Sequence, residues 1–178
     1  MSVAARFLER SRYYLGVEYP AKLRAVLLAL PADRLWWRPN ESSNSAGNLV
    51  LHLCGNVTQW IVGGVGREPN ERDRDHEFRA EGGLDADGLI ALLDQTVERV
   101  DAVLADLRPE DLLDERDIQG RHTTVLAAIY HVVEHFSTHT GQIILLGKLV
   151  APDAAIRFYD DARNAAPLFL GQDRSDID

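Results

Sequence analysis

Leu89, Leu93, Val97, Val100, Leu104 and Leu107 recur at steps of four, four, three, four and three. That spacing lays one apolar stripe along a helix and does not fit the two-residue alternation of a strand. Asp85 or Asp87 offers an N-cap, and Arg108–Pro109 ends the run. Three further segments read the same way. Residues 3–30 predict one amphipathic helix, kinked at Pro20 because proline removes an internal hydrogen bond, and ended by Pro31. A second helix is expected from Ser45, a good N-cap, to the Gly63–Gly64 pair. A fourth is expected from Thr123 or Thr124 to about Leu149, before Pro152.

The segments between them are polar. DRLWWRPNESSNS (33–45) holds the pair Trp36–Trp37, read as an anchor that plugs one end of the core. GREPNERDRDHEFRAEGG (66–83) is a charged loop with room for a short turn, and PEDLLDERDIQGRH (109–122) a loop that turns at Gly120. No strand pattern, internal repeat or low-complexity tract stands out. Four long helices with moderate loops predict an all-α fold, a four-helix bundle over residues 1–151. The extension 152–178 is expected to pack on the bundle through IRFYDDARNAAPLFL and to fray over GQDRSDID.

Composition narrows the function. The chain has 178 residues, 46% of them hydrophobic, enough for one domain with a real core. Its net charge of −9 argues against nucleic acid and against an anionic membrane, since both call for clustered Lys and Arg. The single cysteine, Cys54, allows no intramolecular disulfide and no cysteine metal cluster, and suits a cytoplasmic location. The N-terminus lacks the apolar run of a signal peptide. The most apolar stretch, 46–66, contains Asn48, His52, Asn56, Thr58 and Gln59, which oppose membrane insertion.

The chain has six histidines, and three lie at a strict spacing of four within AIYHVVEHFSTHTGQIIL (128–145): His131, His135 and His139. At about 100° per residue, with Leu126 as zero, Ser137, Lys148, Glu134 and Thr138 span a wet arc from about 20° to 120°. His131 falls at about 140°, His135 at about 180° and His139 at about 220°, so depth rises in that order. Imidazoles at i and i+4 can share one ion, whereas the outer pair is roughly 12 Å apart along the axis. The wheel therefore pairs His135 with His139. Gln142, one turn beyond His139, can hydrogen-bond a ligand or a bound water.

A third ligand must come from another helix. From Ser42 to Gly66 the sequence has no Asp, Glu, Lys or Arg. Asn48, His52, Asn56 and Gln59 form one neutral stripe there, as in the wall of an internal polar site or of a subunit interface. It is read here as a wall that turns His52 toward His135 and His139. A lone histidine on an apolar face is more often a satisfied core residue, and the uncharged stripe is what raises the metal reading. His76 and His122 sit in loops without an assigned role. Tyr130 and Glu134 fall toward the wet arc and are not candidates for acid or base. Arg72 and Arg74 could steer an anionic substrate, although a solvated loop is the favoured reading of that charge run.

SNSAGNLVLHLCGNVTQWI (43–61) and HVVEHFSTHTGQI (131–143) together resemble the DinB/YfiT-like metalloenzyme family, with the Trp pair and RDRDHEF as further points of likeness. The resemblance spans roughly residues 5–150. It implies a four-helix bundle and a divalent metal on His52, His135 and His139, with His131 left out of the ligand set. It also implies a homodimer, and small-molecule chemistry with low-molecular-weight thiols. Three neutral imidazoles would leave open positions on the ion, as in catalytic sites. Zinc is the first expectation and nickel the second. The expected activity is S-transfer from such a thiol to an electrophilic small molecule, or hydrolysis, with Asn48, Asn56, Gln59 and Gln142 as supporting or substrate-binding groups. The alternative is a non-catalytic metal-binding or dimeric interaction bundle.

Overall fold

A computed structural model of the chain describes residues 1–154 and 156–158. Four long helical rods form the bundle, with a short helix and a hairpin added between them. The first rod is α1 (Val3–Tyr13), a π-helical stretch (Tyr14–Glu18) and α2 (Tyr19–Ala29) in sequence. The expected break at Pro20 lies elsewhere: the widened turn precedes the proline, which sits in the first turn of α2 where its missing N–H costs least.

The second rod is α3 (Ala46–Val57), continued as a π-helical stretch through Thr58–Val65. Ser45 caps it reciprocally with Asn48. Trp36 packs on the start of this rod. A Cβ on Gly47 would sit 2.8 Å from the Trp36 ring, and the indole N–H donates to the Leu84 carbonyl at 3.0 Å. The third rod, α5 (Ala86–Asp106), is capped by Asp85, whose carboxylate accepts from the Gly88 N–H at 2.8 Å. The fourth, α6 (Val125–Val150), is capped by Thr124, which accepts from the Ala127 N–H. Leu23, Val26, Leu53, Ile61, Leu89, Leu93, Leu104, Ile129, Phe136 and Ile143 fill the centre.

Two elements depart from the sequence reading. The charged loop contains α4 (Arg74–Arg79), six residues capped by Asp73. The loop before α6 is an antiparallel hairpin of β1 (Glu115–Ile118) and β2 (Arg121–Thr124). No strand was expected there, because Ile118 alone in β1 is buried and apolar alternation is absent. Gln119 and Gly120 turn the hairpin with φ of +54° and +70°, the signature of a primed turn.

Beyond α6, Ile156 and Phe158 are buried on the bundle. The rest of the expected packing and fraying in 159–178 lies outside the described residues. Among the described residues, no helix is long and apolar enough to cross a membrane.

Candidate metal centre

α3 and α6 run side by side and bring three imidazoles together. One ring nitrogen from each of His52, His135 and His139 lies within 4.8 Å of the others. His52 Nε2 is 2.9 Å from His135 Nε2. The His52 ring meets both others edge-on, with centroids 5.0 Å apart in each case. His52 is buried, whereas His135 and His139 are half-buried and reach solvent. His131 packs at a tilt against Trp60, with ring centroids 4.3 Å apart, and lies 5.5 Å from His135 by ring centroids. It lies outside the three-nitrogen cluster.

Burial lowers the pKa of the three histidines on α6. It pushes the His135 pKa down to about 3, and nearby His139 and His52 push the same way. Burial also lowers His139, against an opposing hydrogen bond to Gln142, and it lowers His131. His135 and His139 are therefore neutral at pH 7, the form in which imidazole ligates a metal.

The polar residues named from sequence sit at different distances from the rings. Gln142 is in contact: its Oε1 is 2.6 Å from His139 Nδ1. The bond leaves His139 Nε2 as the free lone pair. Gln59 acts at one remove, accepting from Arg72 Nη1 at 2.9 Å and from the Gln119 amide at the hairpin tip. Asn48 is fully buried and is bonded to α4. It donates to the carbonyls of Glu77 at 3.0 Å and Ala80 at 2.8 Å. Asn56 is buried one turn beyond His52.

Two residues of the charged loop are less solvated than the sequence implied. Glu77, on α4, is 6% exposed and places Oε2 2.9 Å from His52 Nδ1. The Arg72 side chain is 6% exposed and binds Glu77 through Nε at 2.6 Å and Nη2 at 2.7 Å. The favoured reading of Arg72 as a solvated cation is thus overturned. Arg74 remains at the surface, over the Phe78 ring at 5.3 Å. Burial alone would raise the Glu77 pKa, but hydrogen bonds from Arg72 and His52 outweigh it and hold the carboxyl below its ordinary range. Phe78 packs on His52 with centroids 4.6 Å apart. A sequence signal for Glu77 existed in the Asp73 cap followed by a Glu-Phe pair, but its partner is 25 residues away.

A helical bundle with three converging imidazoles defines a class of candidate metalloprotein. The chain belongs to the protein family of unknown function DUF1572, whose model matches residues 2–157. Its fold is similar to that of a DinB-like protein from Bacillus cereus ATCC 10987, with a TM-score of 0.63 and 16% identity, covering 80% of this chain and 89% of that one. It is likewise similar to a DinB-like protein, YjoA, from Bacillus subtilis, with a TM-score of 0.60 and 20% identity, covering 81% and 90%. Among curated proteins, none matches the chain. The DinB-like fold expected from the two sequence blocks is thus present, and the three-histidine group is compatible with a bound metal ion.

Proposed function

We propose that the chain is a divalent-metal-dependent enzyme whose ion sits on His52, His135 and His139 and activates a thiol or water. The favoured reaction is S-transfer from a low-molecular-weight thiol to an electrophilic small molecule, with hydrolysis as the close variant. One observation carries the reading: three imidazole nitrogens from two helices converge within 4.8 Å, with two of the rings open to solvent. The donor set fits a divalent ion, since the Gln142 contact at His139 and the Glu77 contact at His52 both engage Nδ1. Zinc is the first expectation and nickel the second.

A bound divalent ion would supply the Lewis acidity that brings a thiol or water pKa toward neutrality. The chain's own residues do the rest. Gln142 orients His139, Phe78 walls the buried side of His52, and Trp60 with His131 walls the far end. In the transfer, the thiol releases its proton to solvent, a sulfur–carbon bond forms, and the leaving group departs with its bonding electron pair. Water in place of the thiol gives hydrolysis.

A homodimer and a cytoplasmic location complete the proposal. Leu145 and Leu149 on α6, each 59% exposed, support the first, and the single buried Cys54 agrees with the second. Thiol-consumption and ester-hydrolysis screens on metal-loaded and chelator-treated protein test the activity. The proposal expects turnover that needs metal and is lost in His52→Ala. Metal-dependent stability without turnover, with loss of helicity in His139→Ala, would instead make the ion a staple between helices.

A further inference from the structure

We infer that Glu77, clamped by Arg72 and seated against Gly55, is a positioning residue that fixes His52 with its Nε2 lone pair toward His135 and His139. The inference rests on the metal-site reading. A carboxylate can only accept a hydrogen bond, so the 2.9 Å contact between Glu77 Oε2 and His52 Nδ1 places the proton on Nδ1. In the neutral ring, the lone pair then lies on Nε2, the atom 2.9 Å from His135. The ring is sorted before any ion arrives.

The carboxylate has no freedom to turn away. Arg72 grips both of its oxygens, a fork that fixes orientation as well as charge. Arg72 Nη2 also lies 3.1 Å from His52 Nδ1. Both atoms are donors, so they share Glu77 Oε2 and do not bond to each other. Arg72 is tied in turn to Gln59 on the second rod, and Gln59 to Gln119 at the hairpin tip. The clamp is therefore held from three separate segments.

Gly55 supplies the seat. It lies three residues after His52 on α3, and a Cβ there would run into Glu77 Oε1 and stand 3.0 Å from Arg72 Nε. No other residue type lets the carboxylate lie this close to the helix. A buried ion pair is weak evidence of a stability role by itself, because desolvation offsets most of its attraction. Its contact with one ring nitrogen of His52 gives this pair a positional role.

The test uses the full-length chain and two readouts, one of which needs no metal. Long-range proton–nitrogen NMR on zinc-free, imidazole-labelled protein reads the His52 tautomer. Chelator competition reads the zinc Kd. Gly55→Ala displaces the carboxylate without removing a polar group. Glu77→Gln removes its charge, and the double variant Arg72→Gln/Glu77→Gln controls for a stranded arginine. Wild type is expected to show the Nδ1–H tautomer. The variants should lose that single tautomer and weaken zinc binding by about 10–100-fold, with helicity retained by circular dichroism. An Nε2–H tautomer in wild type, or folded variants with wild-type tautomer and Kd, would overturn the inference. A wild-type chain that binds no zinc yet shows Nδ1–H, lost in Gly55→Ala, would uphold the positioning and remove the metal reading instead.

Discussion

Asn48 gives the sharpest test of how α3 carries the site. Its Oδ1 accepts from the Ser45 N–H at 3.1 Å and the Ser45 hydroxyl at 2.7 Å. Its amide N–H groups donate to the carbonyls of Glu77 and Ala80. One side chain thus caps α3 and fastens the end of α4, the helix that presents Glu77. Asn48→Ala removes the cap interaction and strips a donor from two buried carbonyls, although Ala80 keeps a bond from Arg38 at 3.2 Å. The combined loss is about 2–4 kcal/mol, or a fall in Tm of roughly 5–15 °C for a chain of this size.

Asn48→Asp separates the two roles. The aspartate keeps the acceptor for Ser45 and adds a negative charge to the first helical turn, worth about 0.3–1 kcal/mol in its favour. It cannot donate, and it sets an oxygen against the Glu77 and Ala80 carbonyls. The expected order is therefore Asp at least as destabilising as Ala, read from urea unfolding of zinc-free protein by far-UV circular dichroism. A stability for Asn48→Asp within about 0.5 kcal/mol of wild type would refute the reasoning, because capping alone would then explain the residue.

Other consequences can be checked singly. Phe136 is 1% exposed and stacks on Tyr19 with centroids 5.8 Å apart; Phe136→Ala should cost about 3–5 kcal/mol in chemical denaturation. Gly64→Ala would drive a Cβ into Ile118 and loosen the hairpin, costing about 1–3 kcal/mol. Burial pushes the Cys54 thiol up to about 12, so a thiol reagent at pH 8 should react only with unfolded protein, and rapid native labelling would contradict the packing. The His135 pKa, lowered from 6.5 to about 3, means the folded metal-free chain binds fewer protons than the unfolded chain between those values. Its stability should therefore be full above pH 6.5 and fall as pH drops, with a flatter profile in His135→Asn.

Much of the bundle was legible because helix signals are local. Ser45, Asp85 and Thr124 cap the helices that their positions suggested, and of the run in 89–107, Leu89, Leu93, Val100 and Leu104 are buried on α5 while Val97 and Leu107 pack partly buried against the core. The wheel for α6 also held, since an uninterrupted helix fixes side-chain directions by rotation alone. What stayed hidden was non-local. Arg72 and Glu77 stand in a run of charges whose local reading is a solvated loop, and only the contact with His52 and Gln59 explains their burial. The hairpin hid because it buries one strand residue, Ile118, and so lacks alternation. Asn48 reads from sequence as part of a polar stripe beside His52, but its partners belong to a helix that the loop's composition concealed.

The central claim is a metal held between α3 and α6 by His52, His135 and His139. Its most direct test is metal content by mass spectrometry on protein purified without a histidine tag, for wild type, His52→Ala and His131→Ala. The account predicts about one divalent ion per chain in wild type and His131→Ala and none in His52→Ala. A wild-type chain that stays metal-free after reconstitution, or a His52→Ala chain that keeps its ion, would contradict it.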